Sequence, residues 1–201
     1  MTSNQGSRLA LLALATVAVA FIACNPTSLG PYTFPASYSM MSSPGDYQIA
    51  PACAAYGELV VRDHRDDTVT VGVRYLEDGG EKHDVGMEGD VEAWLRSAMS
   101  GALEQARIEQ TGSSGPTITL TLDSIVTDEA VYRRAEYDAR VVVHVEVAGG
   151  GAGWSTDKSG FSENYGYAGS AENYQETVNH ALDKALVATV NDPGFRDALC
   201  K

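Results

Sequence analysis

The chain has 201 residues, with 14 Lys and Arg against 27 Asp and Glu, a formal charge of −13 at pH 7. That balance excludes nucleic acid as a partner, because gripping a phosphate backbone takes clustered cations that release counterions. It also leaves no polybasic segment to hold anionic headgroups, and the length suits one domain plus a leader and a tether.

In chain order, a polar head with a single cation, Arg8, leads into Leu9–Ala23, which carries no charge. A spanning helix needs roughly 20 apolar residues to cross about 30 Å of hydrocarbon. The run is shorter than that and has the build of an export signal, with a cation before it and small residues at its end. It closes on Phe21-Ile22-Ala23-Cys24, and Ala23-Cys24 resembles the lipobox of bacterial lipoproteins. That resemblance implies a signal peptide over residues 1–23 and diacylglycerol on the Cys24 thiol. It further implies an acyl chain such as palmitate on the freed amine. Phe21 departs from the Leu usual in that family, and Asn25 replaces the Asp of enteric lipoproteins kept at the inner membrane, which points to the outer membrane. The competing reading, an N-terminal core helix with a buried Cys24 thiol, lacks a docking partner. Asn25-Pro26 follows it directly, then Pro31, Pro35 and Pro44.

Residues 24–52 are expected to form a lipidated N-terminus and flexible tether, rich in Pro, Ser, Tyr, Met and Ala without a sustained apolar period, too little to offset ordering entropy. Such a coil spans about 30 Å root-mean-square and about 95 Å when stretched. Its Tyr32, Phe34, Tyr38, Met40, Met41 and Tyr47 are either a partner-binding segment or linker residues. With Cys24 taken by lipid, Cys53 and Cys200 either pair in an oxidising compartment or remain free thiols. A bridge would close nearly the whole folded part.

The domain is expected over residues 53–201. It opens with Gly57–Val61 as a short strand, then Arg62-Asp63-His64-Arg65-Asp66-Asp67 as a charged turn. Val69, Val71, Val73 and Tyr75 alternate with polar residues at the period of a half-buried strand, ended by Asp78-Gly79-Gly80. Asp90 caps a helix with Trp94, Leu95, Ala98, Ala102, Leu103 and Ala106 on one face, running to about Gln110. Ile118, Leu120 and Leu122 start a strand, and Val141, Val143, Val145 and Val147 end the next. Gly149-Gly150-Gly151 turns the chain into a last strand or hairpin arm from Trp154 to Tyr167. Ser170 caps a helix with a stripe of Tyr174, Val178, Ala181, Leu182, Ala185, Leu186 and Val190, stopped at Asn191–Gly194 before a short tail carrying Cys200. Together these predict an α+β fold, a mainly antiparallel sheet with two amphipathic helices on one face.

Catalytic and metal patterns are not found. His64, His83, His144 and His180 lie outside metal-ligand spacing of one another. Asp63, His64, Asp66 and Asp67 cluster without the glycine and spaced oxygens of a calcium loop. Ser124, Ser159 and Ser162 lack a nucleophile elbow, and no Lys-Ser/Thr follows Gly149–Gly153. Neither a cofactor nor an enzyme is expected. Trp154, Phe161, Tyr165 and Tyr167 form a candidate partner surface, the alternative being that they close the sheet.

Val60-Val61-Arg62-Asp63-His64-Arg65-Asp66-Asp67, following a lipobox and tether, resembles the small bacterial envelope lipoproteins of the YajG type. The layout is also similar to the lipoprotein activators of peptidoglycan synthases. Both resemblances imply a non-enzymatic role and a protein partner in the envelope. A lipid or small-ligand accessory of an envelope transport system is the alternative, and it predicts an apolar cavity between helices and sheet.

Overall fold

A computed structural model describes residues 29–77, 79–112, 115–149 and 153–200; the leader and Cys24 lie outside these. In chain order the strands and helices are β1 (Tyr32–Pro35), β2 (Ala55–Tyr56), β3 (Glu58–Asp63), β4 (Thr70–Leu76), β5 (His83–Glu88), α1 (Val91–Gln105), β6 (Glu109–Gln110), β7 (Thr117–Val131), β8 (Ala135–Ala148), β9 (Trp154–Gly166), α2 (Ala171–Val190) and α3 (Pro193–Leu199). The main sheet runs β1-β5-β4-β7-β8-β9, with β3 also paired to β7, and β2 with β6 makes a separate two-stranded bridge. Its backbone is the antiparallel β7-β8-β9 meander, so the fold is the expected α+β class. The parallel pairs β1-β5, β3-β7 and β4-β7 make the sheet mixed.

Alternation sets which side chains face the helices. Along β8, Ala135, Tyr137, Ala139, Val141, Val143, Val145 and Val147 are all buried, and the residues between them line the open face. Two single-residue slips change that parity elsewhere. In β7 the register shifts between Leu122 and Ser124, so the inward set passes from Ile118, Leu120 and Leu122 to Ile125, Thr127, Glu129 and Val131. In β4 it shifts between Thr70 and Gly72. Val71 points inward, Arg74 takes the next core position, and Val69 is exposed. The simple alternation of Val69, Val71, Val73 and Tyr75 therefore fails, because one extra residue in a strand turns every later side chain to the other face. Gly72 allows this close pairing, since a Cβ there would lie 1.6 Å from the Thr127 carbonyl oxygen.

The charged turn proves to be a jog in a broken strand. β3 and β4 lie along the same edge of β7, pairing with Thr117–Leu122 and Thr127–Val131 in turn. Asp63 takes the Arg65 guanidinium at 2.8 and 2.7 Å, while Asp67 accepts from the Val69 and Thr70 amides at 2.9 and 2.8 Å. These carboxylates are occupied by the bend itself. Past Gly79-Gly80 the chain makes one more strand, β5, which the period-2 reading did not separate from the loop before α1.

Both long helices cover one face. Asp90 and Ser170 cap them as expected, accepting from the Ala93 and Asn173 amides. α1 stops at Gln105, short of Gln110, and Glu109–Gln110 pairs with β2 instead. Trp94 Nε1 donates to Asn179 Oδ1 at 2.8 Å and ties the helices together. Gly160 brings α2 against β9, for a Cβ there would meet the Ala181 carbonyl oxygen at 1.9 Å. The expected tail is a third helix: Asp192 caps it, and Pro193 at its first position has the φ a helix start requires. Its Phe195 packs edge-to-face on Trp154.

The tether expectation for residues 24–52 is corrected from Leu29 onward. β1 is an edge strand of the sheet; Phe34 is 1 % exposed and stacks on Tyr174 at 5.2 Å. Beyond it the chain crosses α2 as a strap. The buried Asp183 carboxylate accepts from Tyr38 Oη at 2.8 Å and from the Met41 and Ser42 amides at 2.6 and 2.8 Å. Burial, then Asp183, raises the Tyr38 pKa and keeps that phenol a donor. Asn191 pairs with the Gln48 amide and the Asp46 carbonyl, and Arg196 Nη2 donates to the Gln48 carbonyl. Composition misled here because the segment satisfies its backbone with side chains of α2, a source of order that no local period reveals. Tyr32, Phe34, Tyr38, Met40 and Tyr47 are thus core and strap contacts, while the Met41 side chain is exposed. Cys53 and Cys200 are joined, 147 residues apart, a closure worth at most about 5 kcal/mol in the chain-entropy view.

Phe34→Ala should therefore destabilise the oxidised domain by about 3 to 5 kcal/mol in urea denaturation; a segment that were a free tether would show no change.

Candidate functional site

The end of the sheet where β7 turns into β8 is built on a buried carboxylate. Glu129, on the inward parity set by the β7 slip, has a fully buried side chain and pairs with Arg74 at 3.0 Å, itself 9 % exposed. Its second contact is Tyr174 Oη, which donates to Oε2 at 2.6 Å. The Gly169 amide donates to Oε1 at 2.7 Å, and Tyr137 Oη lies 3.2 Å from that oxygen. Tyr137 also reaches the Tyr167 carbonyl and accepts from the Ser170 amide. Burial and then Glu129 raise the Tyr174 pKa, and burial pushes Tyr137 up to about 12. Every oxygen of Glu129 is thus occupied, and the cluster works as a clamp on the β9–α2 loop.

That clamp fixes what the turn displays. Tyr132, Arg133 and Arg134 form the exposed tip between β7 and β8. Arg134 lies over the Tyr165 ring at 4.6 Å and Arg133 over Tyr132 at 5.6 Å, while Tyr165 Oη donates to Glu136 at 3.1 Å. Together with Glu77 these residues line a shallow groove of about 370 Å³. Tyr132, Tyr165 and Tyr167 are 57 %, 47 % and 90 % exposed. Of the expected aromatic surface, Tyr165 and Tyr167 belong here, and Phe161 stands further along the open face opposite Arg140. Trp154 does not join them. It pairs with Val147 at the far end of β9, half-buried against Phe195, because a strand of this length separates its two ends and its parity sends Trp154 to the helix side. Sequence reasoning missed Tyr132, Arg133 and Arg134, although a cationic pair between two alternating strands in an acidic chain was a visible signal.

Two other constellations lie on the open face of the sheet. Ser155 Oγ lies 2.9 Å from His144 Nε2, and His144 Nδ1 lies 2.6 Å from Asp157 Oδ1. They rise side by side from β8 and β9 on the open face, where water screens the exposed pair, and they serve as cross-strand pairing. Asp128, Asp138 and Glu163 form a row across β7, β8 and β9, and among the described residues Asp138 Oδ1 has no hydrogen-bond partner. Among the described residues no group of His, Cys, Asp and Glu side chains is arranged to hold a metal.

Glu129→Ala should cost about 3 to 5 kcal/mol in urea unfolding because it strands the Arg74 guanidinium, and pairing it with Arg74→Met should return much of the loss. Burial, then Glu136, Glu163 and Asp128, raises the Asp138 pKa. The fold therefore favours its neutral acid, and stability is lost as pH rises through the folded pKa. Asp138→Asn should raise Tm at pH 7, and the gain should vanish below about pH 4, where the carboxyl is protonated folded or unfolded.

Compared with known family models and with curated proteins, the chain matches none. Among solved structures it is similar to the crystal structure of protein XCC0632 from Xanthomonas campestris, of the DUF330 family, at 11 % identity and a TM-score of 0.44, covering 83 % of this chain and 96 % of that one. A second, described as an uncharacterized protein, is 13 % identical with a TM-score of 0.35, covering 76 % of this chain and 92 % of that one. Likenesses of this size carry no functional assignment.

Proposed function

We propose that the chain is a lipid-anchored bacterial envelope lipoprotein of the YajG type, held in the outer membrane through Cys24. Its domain faces the periplasm and acts without catalysis by binding another envelope protein. The observation that carries this reading is Leu9–Ala23 closing on Phe21-Ile22-Ala23-Cys24. The Cys53–Cys200 bond supports an oxidising compartment. The YajG likeness rests on Val60–Asp67 after the lipobox and on the helix, strands and closing helix that follow it. The carrier alternative gains no support from the interior, where Leu95, Met99, Leu182, Leu186 and Val143 are sealed between helices and sheet.

Cells fed an alkyne fatty acid should yield labelled protein in the outer-membrane fraction, and Cys24→Ser should abolish the label and release a soluble domain. Envelope crosslinking should trap a second protein on the wild type. An unlabelled, uncut product would end the anchor reading, and recovery of monomer alone would end the partner reading.

A further inference from the structure

The structure determines which end of the domain faces the membrane, given the Cys24 anchor proposed above. β1 is parallel to β5, β5 is antiparallel to β4, and β4 is parallel to β7. β1 therefore runs away from the β7–β8 turn, and the chain before Tyr32 approaches from the turn's end. Side chains agree with the register. Tyr32 sits under Arg74, which holds Glu129, three residues before Tyr132. Leu29 already packs on the core, and only Asn25–Ser28 separate it from Cys24. At about 3.3–3.6 Å per residue, that stretch reaches no further than about 18 Å. A lipid on Cys24 thus confines this end of the sheet to the bilayer surface, whereas the expected tether would have let the domain turn freely.

The confined end has the chemistry of an interfacial surface. Tyr132, Tyr165 and Tyr167 are exposed there, and tyrosine's apolar ring with a polar tip suits the headgroup layer. The groove between Tyr132 and Tyr165 offers both signs, Arg133 and Arg134 beside Glu77 and Glu136. A phosphate takes charge-assisted hydrogen bonds from the guanidinium groups, and an ammonium group pairs with the carboxylates. We propose that this turn is the bilayer-docking face of the domain and that it seats zwitterionic headgroups bearing a phosphate and an amine. Two arginines in so acidic a chain do not recruit the domain to a membrane. They orient one that the covalent anchor already holds at high effective concentration. Docking leaves α1, α2 and the far end of the sheet free for a protein partner.

The test uses the full chain in bacterial envelopes, with the photo-crosslinker benzoylphenylalanine in place of Tyr132 or Tyr167, or of Thr119 towards the opposite end of β7. Cells receive radioactive phosphate and an alkyne fatty acid. The expected result is alkyne label on all three proteins, with phospholipid adducts at positions 132 and 167 and few at 119. Adding Arg133→Glu and Arg134→Glu should reduce the adducts at 167 several-fold without changing the alkyne label. Alkyne-labelled protein whose adducts are equal at all positions, absent, or formed with a protein at 132 and 167 overturns the docking face alone. Loss of the alkyne label from the wild type overturns the anchor and the docking face together.

Discussion

A carboxylate in the core decides how this molecule is put together. Glu129 is sealed beneath the sheet, where an unpaired charge would be prohibitive, and its oxygens are met by Arg74, Tyr174, Tyr137 and the Gly169 amide. Those partners come from β4, α2, β8 and the loop between β9 and α2, and Tyr32 of β1 completes the cluster by stacking on Tyr174. β4, β8, α2 and the β9–α2 loop must therefore assemble together, because omitting any one leaves a buried polar group short of a partner. The β4 slip that brings Arg74 inward and the β7 slip that does the same for Glu129 are complementary. Either alone would bury a charge without its counterpart.

The second constraint is the strap. Among the described residues no cation pairs with Asp183; one phenol and two backbone amides satisfy it instead, all from residues 38–42. A helix residue that needs the N-terminal segment makes that segment part of the domain. With the strap seated, the distance from the proposed lipid to the fold shrinks from the span of a long coil to a few residues, and the proposed docking face depends on that.

The open face of the sheet carries a different balance. Threonines, the His144–Asp157 pair and the Asp128–Asp138–Glu163 row keep it hydrated, as an antiparallel sheet with one wet face requires. Like charges in that row work against the fold, and their retention agrees with a surface that stays in water. The aromatic and cationic residues gather at one end of the sheet, where a single turn and the loop before α2 present them.

The long strands, both main helices with their caps at Asp90 and Ser170, and the inward stripe from Tyr174 to Val190 were legible in the sequence, because each has a period or a capping residue that acts over a few positions. Tyr165 and Tyr167 stand out instead as aromatic residues close together in sequence, though grouped there with Trp154, which the length and parity of β9 place elsewhere. The slips at Val71 and Asp123 leave no local mark, since an extra residue becomes visible only against the strand it pairs with. For the same reason β1, the strap and the seat of Glu129 were decided by tertiary structure: Tyr137 apart, the hydrogen-bond partners that fix them lie far away in sequence. The sequence by itself determined the long elements, the acidic balance and the lipobox-like Ala23-Cys24 pair; which charges are buried, and which end carries the tyrosines and arginines, depended on distant strands meeting in register.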